Sequence, residues 1–139
     1  MRLGYALGPA LAGVALSATA LAQEHGVAGL ARPNLVLEQV VEGLPRDARQ
    51  SVRVLTATFK PGDRTVPHTH RFPVTVYVLE GAFTLELKDR PPIIVKAGEA
   101  IVEPPNVEMT GYNRSTSELT KVVIVYVSTP GTPFLDPMH

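Results

Sequence analysis

The chain contains no cysteine. That absence excludes a disulfide framework, thiolate zinc and iron–sulfur sites and a cysteine nucleophile, so any metal must be held by His, carboxylate, Met or backbone. Net charge is absent too, because thirteen Lys and Arg balance thirteen Asp and Glu. The basic residues are scattered, so neither a nucleic acid nor an anionic membrane surface meets a cluster to bind. Helical patterning is a third absence. From Gln23 onward no window keeps apolar residues at i, i+3, i+4 and i+7 through three turns, and little helix is expected. No glycine-rich phosphate loop occurs, and no Ser-His-Asp grouping follows from the spacing. A chain of 139 residues supports one compact domain.

Residues 1–22 carry a single charge, Arg2, and run through Ala, Leu and Gly to Ala20-Leu21-Ala22. This pattern reads as a secretory signal peptide cleaved between Ala22 and Gln23. Gly4, Gly8, Pro9, Gly13, Ser17 and Thr19 interrupt the apolar run, and no basic flank follows it. Both features disfavour a retained membrane anchor. The expectation is an exported protein, periplasmic or secreted, in which residues 23–139 form a single domain with no stable membrane insertion. In an oxidising compartment, a chain without disulfides relies on its core alone.

The rest of the sequence breaks into short β-branched runs between turn residues. Runs at 34–41, 51–60, 74–79, 82–88, 92–96, 100–103 and 120–128 read as strands. Pro61-Gly62-Asp63 closes one of them as a turn, Pro fixing φ and Gly permitting a positive one. The tail, 129–139, carries Pro130, Pro133 and Pro137 and is expected to lie extended over the body. The fold class is all-β, an antiparallel sandwich or barrel.

His68 and His70 stand two residues apart just before a strand. On an extended backbone that spacing points both imidazoles to one face. The same parity continues through Val74, Val76 and Val78, the expected pocket lining. Two imidazoles at the edge of an apolar face are costly without partners. A shared transition-metal ion supplies one, since neutral imidazole suits Zn, Cu, Fe and Ni. Arg71 and Phe72 follow the pair and are read as capping the strand entry.

Here the sequence resembles the cupin superfamily. Its first motif, G-x5-H-x-H-x3,4-E-x6-G, is matched by Gly62, His68, His70 and Gly81. Its second, G-x5-P-x-G-x2-H-x3-N, is matched by Gly98, Pro104 and Asn113. The resemblance covers roughly residues 50 to 128 and implies a small jelly-roll β-barrel of the one-domain cupin type. Three positions depart from it. The motif's metal-binding Glu falls on Val74, its second-motif His on Met109, and its second-motif Gly on Asn106.

These departures shape the functional expectation. His68, His70 and Met109 would make a soft site of two imidazoles and a thioether, which favours copper, and Cu(I) in particular. Fe, Mn, Ni or Zn is the alternative, completed by water or by a nearby carboxylate. Glu103, next to Pro104, is one such carboxylate if it points inward, as extra ligand or general base. Glu108 is another if a one-residue bulge presents it in place of Met109. In a third reading, Met109 is core packing in a metal-free pocket. The first functional reading is a metal-binding protein that binds or senses a small molecule. The second is a metal-dependent oxygenase or isomerase of a small organic substrate. Size and resemblance also imply a homodimer.

Overall fold

Alternation of apolar residues builds nine strands among residues 28–139, the residues that the computed structural model describes. The signal-peptide expectation at 1–22 lies outside the described residues. The strands are β1 (Ser51–Phe59), β2 (His68–Thr69), β3 (Val74–Glu80), β4 (Ala82–Leu87), β5 (Ile93–Lys96), β6 (Ala100–Glu103), β7 (Met109–Tyr112), β8 (Thr120–Ser128) and β9 (Asp136–Pro137). They form a four-stranded sheet, ordered β1-β8-β3-β6, and a five-stranded sheet, ordered β5-β4-β7-β2-β9. Every paired neighbour is antiparallel. The fold is the expected antiparallel jelly-roll barrel.

Inner-facing residues of the two sheets meet in one core of Phe59, Val74, Val76, Val78, Phe83, Leu85, Leu87, Val95, Met109, Val122 and Tyr126. Burying each of the three β3 valines contributes roughly 1.5–3 kcal/mol. Their odd-numbered neighbours Thr75 and Tyr77 stay half-buried on the outer face. Gly81 turns β3 into β4 with φ at +74°, and a Cβ there would stand 2.2 Å from the Leu119 carbonyl oxygen. Only glycine fits that turn. Asn106 adopts φ +58° where the second motif has glycine, a conformation that Asn tolerates. Asn113 is buried and ties loops together, its amide donating to the carbonyls of Phe59 at 3.1 Å and Glu118 at 2.8 Å.

Two expectations are corrected. The run 34–41 forms no strand; Leu35 and Val40 are exposed, and no neighbouring strand offers them a ladder. In the other direction, 109–112 is a strand that periodicity did not suggest. It is held between β4 and β2, and Gly111 lets the Phe83 ring press against the backbone, 2.6 Å from where a Cβ would be.

One transverse row positions the site. Arg53 is the register partner of Tyr126, Tyr126 of Val74, and Val74 of Glu103. A guanidinium, a phenol, a valine and a carboxylate therefore cross the inner face of the four-stranded sheet at one level.

Candidate metal centre

β2 sits between β7 and β9, so His68 lies opposite Met109 on one side and Pro137 on the other. His70 follows two residues later with its ring on the same inner face, and its carbonyl accepts the Asn106 N–H at 2.7 Å. Both imidazoles are buried. His68 Nδ1 lies 2.7 Å from the Val66 carbonyl and His70 Nδ1 lies 2.6 Å from the Phe134 carbonyl. A carbonyl only accepts, so each Nδ1 carries a proton, and in the neutral ring Nε2 then presents a lone pair.

Those two Nε2 atoms are 3.1 Å apart. Glu103 Oε2 is 3.2 Å from the Nε2 of His70. With neutral rings, all three atoms are acceptors, a donor set that a cation among them would satisfy. Two imidazole nitrogens bound to one ion at about 2.1 Å stand about 3.0 Å apart at an octahedral angle and about 3.4 Å apart at a tetrahedral one, a range that contains the 3.1 Å observed. The pair therefore fits a shared metal. Among the described residues no three His, Cys, Asp or Glu side chains already close into a cage; the donors meet as two pairs that share His70. Burial pushes the pKa of His68 below its ordinary 6.5, against the opposing pull of the Val66 hydrogen bond. A lowered pKa keeps the ring neutral, the form that ligates a metal.

The other candidate residues fall in distinct places. Glu103 points inward, and its carboxylate is buried. Met109 is buried in the core, on the face it shares with its partner His68. Glu108 is turned out to the surface, 3.6 Å from Lys88 Nζ, and no bulge brings it to the histidines. Of the three valines, Val76 lines the cavity beside the imidazoles, while Val74 and Val78 are packed in the core.

That cavity has a volume of about 50 Å³ and is walled mainly by Phe59, Phe83, Val122, Ile124, Phe134 and Leu135 around His68, His70 and Glu103. It admits a water or two, or a ligand of a few atoms. Roomier grooves, about 460 and 600 Å³, lie elsewhere along residues 39–46 and hold none of these three residues.

The C-terminal segment closes the mouth. Phe134 and Leu135 form part of the cavity wall, and β9 pairs with β2 through Thr69↔Asp136. Arg71 donates to both carboxylate oxygens of Asp136 at 2.9 Å, so Arg71 ties down the tail. Sequence reasoning missed the Phe134 carbonyl that orients His70. It also missed Tyr126, a fully buried phenol 5.8 Å from the His70 ring whose hydroxyl has no hydrogen-bond partner among the described residues. The only signal for the first was the expected course of the tail.

A model of the cupin domain matches residues 55–126, more than half of the chain. The chain belongs to the cupin family. Among solved structures, this cupin is similar to a cupin-like protein from Thermotoga maritima, at 25% identity and a TM-score of 0.54, over 63% of this chain and 64% of that one. It is also similar to the polyketide cyclase RemF from Streptomyces resistomycificus, at 26% identity and a TM-score of 0.52, over 63% and 61% of the two chains. A third is an RmlC-like cupin from Methanocaldococcus jannaschii, at 25% identity and a TM-score of 0.53, over 68% and 94%. The match thus covers less than two thirds of the Thermotoga protein and of the cyclase. A search of curated proteins found no match.

Proposed function

We propose that this cupin binds one transition-metal ion through His68 and His70, and through it a small molecule in the adjoining cavity. The observation that carries the reading is the pair of Nε2 atoms, 3.1 Å apart, with both Nδ1 protons fixed on backbone carbonyls. A bound ion would supply a Lewis-acidic centre that polarises an oxygen of the small molecule. The chain's own residues orient the rings, exclude bulk water with Phe134 and Leu135, and keep His68 neutral. Copper fits the version in which Met109, opposite His68, is the third donor. Iron, manganese, nickel or zinc fits the version in which a carboxylate completes the site.

A second reading, a metal-dependent oxygenase or isomerase, is favoured by the inward carboxylate of Glu103 and by the likeness to a polyketide cyclase. We also propose export after cleavage near Ala22, and a homodimer. The exposed outer-face residues Val52, Val54 and Val125 support the homodimer.

Elemental analysis of tag-free protein from the exported fraction tests the central reading. About one equivalent of metal, absent from a His68→Ala/His70→Ala double variant, is the expected result. Equal metal content in the two proteins, or none in either, would refute it. Turnover of candidate substrates by the loaded protein would move the enzyme reading ahead.

A further inference from the structure

The cupin motif supplies an anionic donor from the strand that follows the histidine pair, and this chain has Val74 at that position. The structure shows what stands beside it. Val74 is the antiparallel register partner of Glu103, and side chains directly opposite in such a pair share a face with Cβ atoms about 4.5–5.5 Å apart. A carboxylate moved from position 74 to position 103 is displaced by one strand and stays on the inner face of the barrel. We propose that Glu103 is the anionic metal ligand of this protein, relocated from β3 to β6, so that His68, His70 and Glu103 form the ligand set. The inference rests on the reading that the two histidines bind a metal.

Three observations argue for it. Glu103 is 5% exposed, and a buried carboxylate is rare without a cationic or hydrogen-bonding partner. Its one close polar neighbour among the described residues is His70 Nε2 at 3.2 Å, and His70 gives its Nδ1 proton to the Phe134 carbonyl, which turns Nε2 towards Glu103. His68 Nε2, His70 Nε2 and the Glu103 carboxylate oxygen thus stand as one chain of contacts at 3.1 and 3.2 Å, and a divalent cation held among them would use all three as donors. Met109 is a neutral thioether among core side chains and does not line the cavity beside the imidazoles. The consequence is a choice of metal. Two imidazoles and one carboxylate with open positions suit zinc, iron, manganese or nickel, whereas the thioether set suits Cu(I). Val74 in this arrangement fills the space that a second carboxylate would take.

The test is a calorimetric titration of metal-stripped full-length protein with Zn²⁺. Wild type binds one equivalent, and His68→Ala/His70→Ala binds none. Glu103→Gln keeps the shape, removes the charge and weakens binding by about 100-fold, the upper end of what even outer-shell losses cost. The exchanged pair, Val74→Glu with Glu103→Val, recovers wild-type affinity to within about tenfold. If Glu103→Gln binds within about threefold of wild type while the double histidine variant fails, the relocation is wrong and the histidine site stands. If wild type itself binds no Zn²⁺, the relocation falls, and a parallel titration with Cu(I) decides the histidine reading: one equivalent lost in the double histidine variant keeps it, and no binding overturns it. Should Glu103→Gln not fold, the exchanged pair decides: recovered affinity supports the relocation and lost affinity overturns it.

Discussion

Two cross-strand pairs meet at the mouth of this barrel, and each contains a position where the cupin motif has a ligand and this chain has an apolar residue. On β3–β6 the apolar residue is Val74, and its partner Glu103 carries a buried carboxylate beside His70. On β2–β7 it is Met109, and its partner is His68. The first pair still places a carboxylate on the neighbouring strand. In the second, the histidine is itself one of the two proposed ligands, and Met109 has joined the core. On the proposed relocation, a ligand position is a point in space which two adjacent strands can reach. Losing the residue on one strand need not empty the point, provided that its register partner faces the same way.

The comparison can be broken most decisively at the histidines. Replacing both His68 and His70 with Ala removes metal binding, and with it the metal's stabilisation of the fold, about 4 kcal/mol at a thousandfold excess over Kd. Thermal melts with and without Zn²⁺ check this, the upward shift being confined to wild type. A gain of function sharpens the second pair. Met109→His puts a third imidazole opposite His68 and is expected to tighten Zn²⁺ binding by about tenfold, at the scale of 1.4 kcal/mol. Unchanged affinity in a folded variant would show that the Met109 position does not reach the ion.

Acid acts on the pairs through His68. Its folded pKa lies below the ordinary 6.5 because burial disfavours the charged ring. Below pH 6.5 the unfolded chain therefore binds more protons than the folded one, and stability rises with pH in that window. Its contribution is fully present above pH 6.5 and is lost as the pH falls towards the lowered folded value. Melts of metal-free protein between pH 7.5 and about 5 should show a falling midpoint, and His68→Gln should flatten that fall.

Smaller effects separate packing from ligation. Met109→Leu conserves volume and is expected to cost less than about 1.5 kcal/mol, with Zn²⁺ affinity unchanged. The same substitution would weaken Cu(I) binding sharply if the thioether were a ligand. The Arg71–Asp136 pair over the mouth is solvent-exposed, and Arg71→Ala should leave the global melting midpoint nearly unchanged. Its clearer signature is faster hydrogen exchange at the Met138 amide, which donates to the Pro67 carbonyl in the closed mouth.

Much of this fold could be read from local pattern. The runs at 51–60, 74–79, 82–88, 92–96, 100–103 and 120–128 became strands with ends shifted by one residue at most. These segments bury one face and alternate or are continuously β-branched, so tertiary context reinforced their local signal. The run 34–41 misled because apolar residues suggest a strand only where a partner edge exists. β7 stayed hidden because Gly111 interrupts any β-branched run, and the reason for that glycine is the Phe83 ring on another strand.

The site was half legible for a related reason. The i, i+2 spacing of His68 and His70 is a local fact, and it placed both rings on one face. Glu103 was ambiguous, because Ala100-Ile101-Val102-Glu103 has apolar residues in both parities and does not say which face is inner. Its register with Val74, and the Phe134 carbonyl behind His70, are contacts between distant segments. No local pattern in the sequence carries them.

The account turns on the protonation of two rings, and long-range ¹H–¹⁵N correlation of the histidine side chains reads it directly. In metal-free protein at neutral pH, the account predicts that His68 and His70 are both protonated on Nδ1. One equivalent of Zn²⁺ should then shift both Nε2 resonances together. A ring protonated on Nε2 rather than Nδ1, or Nε2 resonances indifferent to Zn²⁺, would contradict the shared ion at the centre of this barrel.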